Sequence, residues 1–365
     1  MTEEEETTQE EVKEEEKTEE KKEFHKPTPE ELQLREDVIE FYQEHFDLNA
    51  LFQLIDKDNF STREFGFIRM DQRGMSRNQS FENPEHLKEY LTLFPVQHAY
   101  VGAVYEDRVM PSIRYMPGTS IDQTKWLGRE LTFDLDLTDY DPVRPCDCSG
   151  REFCEDCWVL MQEAADIMDD TLRVDFGFEE IVWLFSGGRG YHAWVLDDIT
   201  FDLDEEQRKA IVGYFQLIYT TVNYEKIEEI GDHATFLKER VYQKLGRKYL
   251  LETPVSQLIE IEGIGRTTAE RAKELLKGSA LVKDIVSVVP KEKPFLEEVI
   301  KKHYPRLDGA VTEGHNHLIR MPGGVHMGTG YLTQIVPNPT QFLPMNDAVG
   351  MYQLLGRDPP EEYLN

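Results

Sequence analysis

The chain has 365 residues, 71 acidic against 40 basic side chains, a formal net charge of −31 at pH 7, and 39% hydrophobic and 11% aromatic residues. That apolar content can fill a sizeable core over two or three substructures, whereas the acidic excess excludes nucleic-acid affinity from bulk charge and leaves it to a locally basic cleft or a partner. No apolar run approaches the length of a membrane-spanning helix, and the N-terminus has the wrong charge and no apolar core for a secretory signal, so a cytoplasmic protein with no membrane partner is expected.

In chain order, residues 1–23 hold twelve Glu and four Lys, which predicts a disordered acidic tail outside the fold. Helical spacing from Pro27 to Asp47, opened by Thr28 with Glu30 and Glu31 in the first turn, predicts the first helix. A hairpin is expected from Thr62–Arg69, a turn at Gly74, and Arg77–Phe81. Pro84–Leu93 reads as a helix, and Ala99–Tyr105 and Leu131–Leu137 read as strands. Beyond them come a helix over Val159–Asp175 and strands over Glu180–Phe185 and His192–Leu196. Residues 203–302 turn helical and charged, apart from a strand signal at Val286–Val289, and form an expected helical insertion. Strand character returns at His317–Arg320 and Tyr331–Val336, followed by a short helix near Asp347–Leu355. The predicted class is α/β (α+β) with a mixed sheet. Its first part spans 24–202, its second part 303–345, and a C-terminal tail 346–365.

The strand Leu131-Thr132-Phe133-Asp134-Leu135-Asp136-Leu137 alternates with period two, which puts Asp134 and Asp136 on one face and the apolar residues on the other. Adjacent carboxylates raise each other's pKa unless a cation lies between them, and oxygen-only ligands suit Mg²⁺ or Mn²⁺. A solvated strand face fits the same pattern. The second Phe-Asp-Leu-Asp, at Phe201–Asp204, is a control: Asp204 precedes a helical pattern with Gln207 three residues on, a capping box, whereas the first pair precedes no helical pattern.

Cys146, Cys148, Cys154 and Cys157 lie within twelve residues, a zinc-knuckle spacing (146–157) that closes one tetrahedral structural Zn²⁺ and suits a reducing compartment better than disulfides or a redox pair. Ser186-Gly187-Gly188-Arg189-Gly190-Tyr191-His192 is a glycine turn with a cation and an imidazole, able to meet phosphate oxygens. A glycine-rich hairpin with a buried histidine fits it as well. Tyr304-Pro305-Arg306-Leu307-Asp308, with His315, His317, Arg320 and His326 beyond, adds a third carboxylate and more cations. Together these are the parts of two-metal phosphoryl or nucleotidyl transfer. Within the insertion, residues 254–277 carry Gly263-Ile264-Gly265 between two helical stretches. They resemble a helix-hairpin-helix that binds DNA phosphates, and a plain helical hairpin accounts for them equally.

Taken together, Arg63-Glu64-Phe65, Arg77–Phe81, Val101–Tyr105, Phe133–Asp141, the four cysteines, Ser186–Trp194 and Tyr304–His326 resemble, in order, the small catalytic subunit of archaeal and eukaryotic DNA primase. The resemblance implies a primase fold with an inserted helical subdomain, two catalytic Mg²⁺ or Mn²⁺ ions and a structural Zn²⁺. It implies synthesis of short RNA or DNA primers from NTPs or dNTPs on a single-stranded DNA template, in an archaeal-type cell. It also implies a heterodimer with a large primase subunit, which in the family carries an iron–sulfur cluster, and contacts with a replicative polymerase or helicase. By position, Asp134, Asp136 and Asp308 fall on the metal-binding acids. Ser186, Arg189, His192, Arg320 and His326 fall on residues that hold the incoming phosphates, Arg77 on another nucleotide contact and Glu64 on an active-site acid. Gly188-Arg189 stands where the eukaryotic pattern has two arginines, and Met75 where it has an aromatic. A gap-filling or lesion-bypass polymerase of the same superfamily would share these motifs, and a non-catalytic zinc- and DNA-binding scaffold would share the knuckle and the hairpin.

Overall fold

The computed structural model describes residues 27–109, 124–219, 239–277 and 292–360. The acidic tail and the strand signal at Val286–Val289 lie outside the described residues. The strands form two sheets. The first has the order β2(Met75–Gln79), β1(Arg63–Arg69), β3(Val96–Tyr105), β4(Trp126–Gly128), with β8(Ile319–Arg320) also paired to β3. The second runs β5(Leu131–Asp136), β7(Gly190–Val195), β6(Ile181–Phe185), β9(Gln334–Ile335). The expectation of one mixed sheet is corrected: all the described strand pairs are antiparallel, and they form two sheets. Hydrophobic period fixes which residues share a face but says nothing of strand direction, so the sequence reading could not decide between the two.

The late strands expected to complete the sheet each join an earlier one. Ile319 and Arg320 pair with Val101 and Tyr100, and Ile335 and Gln334 pair with Leu184 and Phe185. A helix over Pro29–Glu44 starts with the Thr28–Glu31 capping box, and helix Pro84–Leu93 is capped by Asn83. Both face the first core, where Phe41, Phe65, Phe67, Leu87 and Val101 are buried. That core also takes Met351 and Tyr352 from the C-terminal helix Met351–Leu355, and Arg357 bonds Glu40 at 2.6 Å.

The second core lies between the β5–β7–β6 face and helix Glu155–Val174, with Phe133, Leu135, Trp158, Ala164 and Tyr191 buried. Helix Glu205–Tyr219 closes it through Phe215, which meets Phe133 edge-on at 5.8 Å. The capping box expected at its start is present: Gln207 N–H donates to Asp204 at 2.8 Å and the Asp204 N–H donates back at 2.9 Å. Helices Arg247–Glu252, Val255–Leu258, Arg266–Leu276 and Glu292–His303 gather round a third cluster containing Leu250, Leu258, Phe295 and Tyr304. Gly263 there has φ +89° and Gly265 caps Arg266–Leu276, so the glycine turn between two helices is formed.

Candidate active site

Strand register builds the site. Asp134 pairs with His192 and Asp136 with Gly190, so both carboxylates leave β5 on the face opposite the buried Leu131, Phe133 and Leu135. Asp308 reaches them from far along the chain because its backbone N–H donates to the Asp134 carbonyl at 3.3 Å. Thr312, in helix Gly309–Glu313, adds a hydrogen bond of 2.9 Å to the Thr132 carbonyl. The three carboxylates are then shared by two cavities. One, about 250 Å³, lies between the sheets and is also lined by Tyr100, Ser186, Arg189, His192, Arg320 and His326. The other, about 560 Å³, opens past Thr138, Asp139, Phe215, Gln216 and Arg306.

The carboxylates differ in environment. Burial, then the charges of Asp136, Asp308 and Asp139, push Asp134 up to about 7. Burial also acts upward on Asp136, but the Thr138 backbone N–H, the Arg189 guanidinium and the Thr138 hydroxyl outweigh it and leave this carboxyl below the ordinary value. The first Phe-Asp-Leu-Asp, expected to have no helix to cap, does cap one. Asp136 caps the 3₁₀ turn Leu137–Val143, accepting from Thr138 N–H at 2.8 Å, and Asp308 likewise accepts from Ala310 N–H at 3.0 Å. A carboxylate has about four lone-pair sites, so a capping hydrogen bond does not exhaust its acceptor capacity. Carboxylates crowded enough to raise Asp134 offer oxygen ligands of the kind that fit Mg²⁺ or Mn²⁺. The carboxylates are less gathered than the cysteines, which among the described residues form the one set of three or more ligand atoms within 4.8 Å of one another.

The raised Asp134 carboxyl makes stability depend on pH. Its folded value of about 7 lies above the ordinary 3.8, so the folded chain holds a proton that the unfolded chain has released. This group's contribution to stability is full below the unfolded value and is lost as pH rises through the folded one. Without divalent ions, the melting temperature of Asp134→Asn relative to the parent is therefore expected to climb from about pH 4 to about pH 8 in thermal scans. A difference that stays flat across that range contradicts it.

Cationic and imidazole groups line the smaller cavity beside the carboxylates. Arg189 donates to Asp136 Oδ2 at 3.2 Å, and His192 Nε2 sits 3.5 Å from Asp134 Oδ1. Arg189 Nε and His192 Nδ1 are buried and have no partner, a pattern that calls for an anionic or polar ligand. Burial first, then Arg320, lowers His192 to about 3 and His326 to about 2, so both rings are neutral N–H donors rather than cations at neutral pH. His326 Nδ1 accepts from Gly328 N–H at 3.2 Å, which leaves the proton on Nε2 beside the glycine turn. Ser186 Oγ accepts from Gly188 N–H at 3.2 Å and holds that turn. Burial lowers Arg320, yet a guanidinium starts so high that it stays charged.

Glu64 and Arg77 are brought to each other but not into these cavities. Arg77 Nε donates to Glu64 Oε1 at 3.0 Å, Arg77 Nη2 to Glu64 Oε2 at 3.1 Å, and Arg77 also bonds the Asn316 carbonyl. Neither lines the space shared by the carboxylates. Their link runs through residue 316, which leads into the His317–Arg320 segment of the first cavity.

The four cysteines can hold a metal ion such as zinc. Cys154 caps helix Glu155–Val174, its N–H donates to Cys157 Sγ at 3.2 Å, and the two sulfurs are 3.8 Å apart. Hydrogen bonds with Cys154 and Cys146 push Cys148 up to about 12, so the crowded thiols call for a cation before all of them ionise. Sequence reading missed the tie that joins this knuckle to β5. Arg144 donates to the Glu152 carbonyl at 2.6 Å, Gly150 at 3.3 Å and Leu137 at 3.2 Å. Sequence reading also singled out none of Thr138, Asp139 and Arg306, although all three lie inside the Phe133–Asp141 and Tyr304–His326 motifs and line the larger cavity.

A family model described as DNA primase small subunit matches residues 133–336. The DNA primase small subunit of Schizosaccharomyces pombe is 31% identical over 334 residues, 80% of this chain and 71% of that protein. DNA primase small subunit PriS of Natronomonas pharaonis is 29% identical over 324 residues, covering 79% of each chain. The PriS of Pyrococcus abyssi is 26% identical over 363 residues, 90% of this chain and 96% of the other.

Proposed function

The chain belongs to the DNA primase small-subunit family, and from that premise we propose that it is the catalytic subunit of a DNA primase, joining nucleotides into short RNA or DNA primers on single-stranded DNA by two-metal nucleotidyl transfer. The observation that carries the reading is one set of carboxylates shared by two cavities, one of them walled by Arg189, His192, Arg320 and His326. Asp134, Asp136 and Asp308 would hold two Mg²⁺ or Mn²⁺ ions. When bound, such ions lower the pKa of a 3′-hydroxyl and offset the charge on a departing pyrophosphate.

The protein's own groups do the rest. Arg189 and Arg320 neutralise the triphosphate, and His192 and His326 donate N–H bonds to its oxygens. Ser186 fixes the turn that presents Arg189. Asp136 orients Arg189 through their hydrogen bond, so the residue that grips the ion also aims the residue that grips the phosphate. Glu64 holds Arg77 beside the 316 segment as a further nucleotide contact. The segment 203–302 would be a helical subdomain inserted into the catalytic domain. A large primase subunit would be the partner that extends the template-binding surface, since this acidic chain lacks a basic field of its own. No helix of the described residues is long and apolar enough to cross a membrane.

The test is synthesis of a labelled dinucleotide from two free nucleotides on single-stranded template, with and without a large subunit. A primase makes it. A gap-filling or bypass polymerase extends a supplied primer and makes no dinucleotide, which would overturn the reading.

At the knuckle, Zn²⁺ would be structural. Metal analysis is expected to find about one zinc per chain, and Cys157→Ser to lose it with a melting temperature lower by roughly 5 °C or more. Retained zinc or unchanged melting in that variant would contradict the assignment.

A further inference from the structure

His98 sits on β3, two residues from Tyr100, whose register partner is Arg320. Its Nδ1 lies 2.9 Å from Arg320 Nη1, and because a guanidinium has no lone pair to offer, the ring nitrogen is the acceptor. The His326 ring lies 5.2 Å away, and the Tyr100 ring carries the Arg320 guanidinium at 5.5 Å. His98 does not itself line the phosphate-side cavity, whereas Tyr100, Arg320 and His326 do. Its hydrogen bond toward that cavity is the one to Arg320.

We propose that His98 is a positioning residue: it accepts a hydrogen bond from Arg320 and holds that guanidinium toward the incoming nucleotide's phosphates without cancelling its charge. The inference rests on the nucleotide-binding role assigned above to the cavity. The type of acceptor matters. An Asp or Glu at this place would fix the guanidinium equally well but would neutralise it, and the cavity would lose one of its cations. A neutral imidazole fixes direction and leaves the full charge for the phosphates. Burial, then the Arg320 charge, lowers His98 to about 3, in keeping with a ring that stays neutral in the working pH range.

The experiment measures binding of a labelled nucleoside triphosphate by the full chain with Mn²⁺, together with KM and kcat for primer synthesis and the melting temperature. Loss of one hydrogen bond to a charged group predicts that His98→Leu weakens nucleotide affinity and raises KM roughly tenfold, with kcat within about threefold of the parent. His98→Asn, whose side-chain oxygen can stand near Nδ1, is expected to restore KM to within about threefold. His98→Glu keeps an acceptor and so keeps Arg320 in place, but is expected to raise KM at least as much as the leucine variant. Unchanged KM and affinity in both the leucine and glutamate variants, or equal loss in the asparagine and leucine variants, overturns the proposal. A parent chain that binds nucleotide yet makes no primer with or without a large subunit overturns the primase reading alone, and the binding series still decides His98. A parent chain that binds no nucleotide overturns both.

Discussion

Replacing Asp136 by asparagine is expected to lower primer synthesis by ~10³-fold or more, about 4 kcal/mol of barrier, while leaving the melting temperature close to that of the parent. Asparagine separates the two roles of this residue. Its side-chain oxygen can still accept the Thr138 N–H that now bonds Asp136 Oδ1 at 2.8 Å, so the 3₁₀ turn keeps its cap. What it removes is the negative charge that a divalent ion and Arg189 both require. Asp136→Ala removes the cap as well, and is expected to add about 1 kcal/mol of destabilisation to the same loss of rate. Near-normal synthesis by either folded variant would remove Asp136 from the metal site.

The second large effect is on stability. A Cβ added to Gly190 would stand 1.8 Å from the Leu135 carbonyl oxygen and 2.9 Å from its carbon. Those are backbone atoms of the neighbouring strand, and they cannot swing aside as the tip of a side chain can. Gly190 is the register partner of Asp136, so the strands would be forced apart where the carboxylate is mounted. Gly190→Ala is expected to cost about 3 kcal/mol, to lower the melting temperature by roughly 6–10 °C, and to reduce primer synthesis through displacement of Asp136. Gly74→Ala is the control: with φ +81° and nothing within 4 Å of its Cβ, it pays only left-handed backbone strain of about 1–2 kcal/mol. Equal melting temperatures for the two variants would show that close packing at Gly190 is not what the strands depend on.

Local signals carried much of this molecule. Thr28 with Glu31 and Asp204 with Gln207 mark helix starts because a capping box is complete within four residues. The alternation from Leu131 to Asp136 fixes which face carries the acids, and the cysteines announce their cluster by spacing alone. The pairings that join distant segments are not written locally. Nothing near Ile319 and Arg320 names β3 as their partner, and nothing in the alternation of a strand says whether its neighbour runs with it or against it. His98 was invisible for the same reason. A histidine in a strand has no motif, and its meaning comes from an arginine that only the fold brings within 2.9 Å. Glu64 and Arg77 show the converse. Their place in the resemblance assigned them roles, but only the structure shows them bound to each other and apart from the shared carboxylates.

The most direct test of the carboxylate centre is anomalous scattering from crystals of the chain soaked with Mn²⁺ and a non-hydrolysable nucleoside triphosphate. Manganese peaks among Asp134, Asp136 and Asp308, with the triphosphate against Arg189 and Arg320, are the predicted result. Bound nucleotide with no manganese at these three side chains would contradict it.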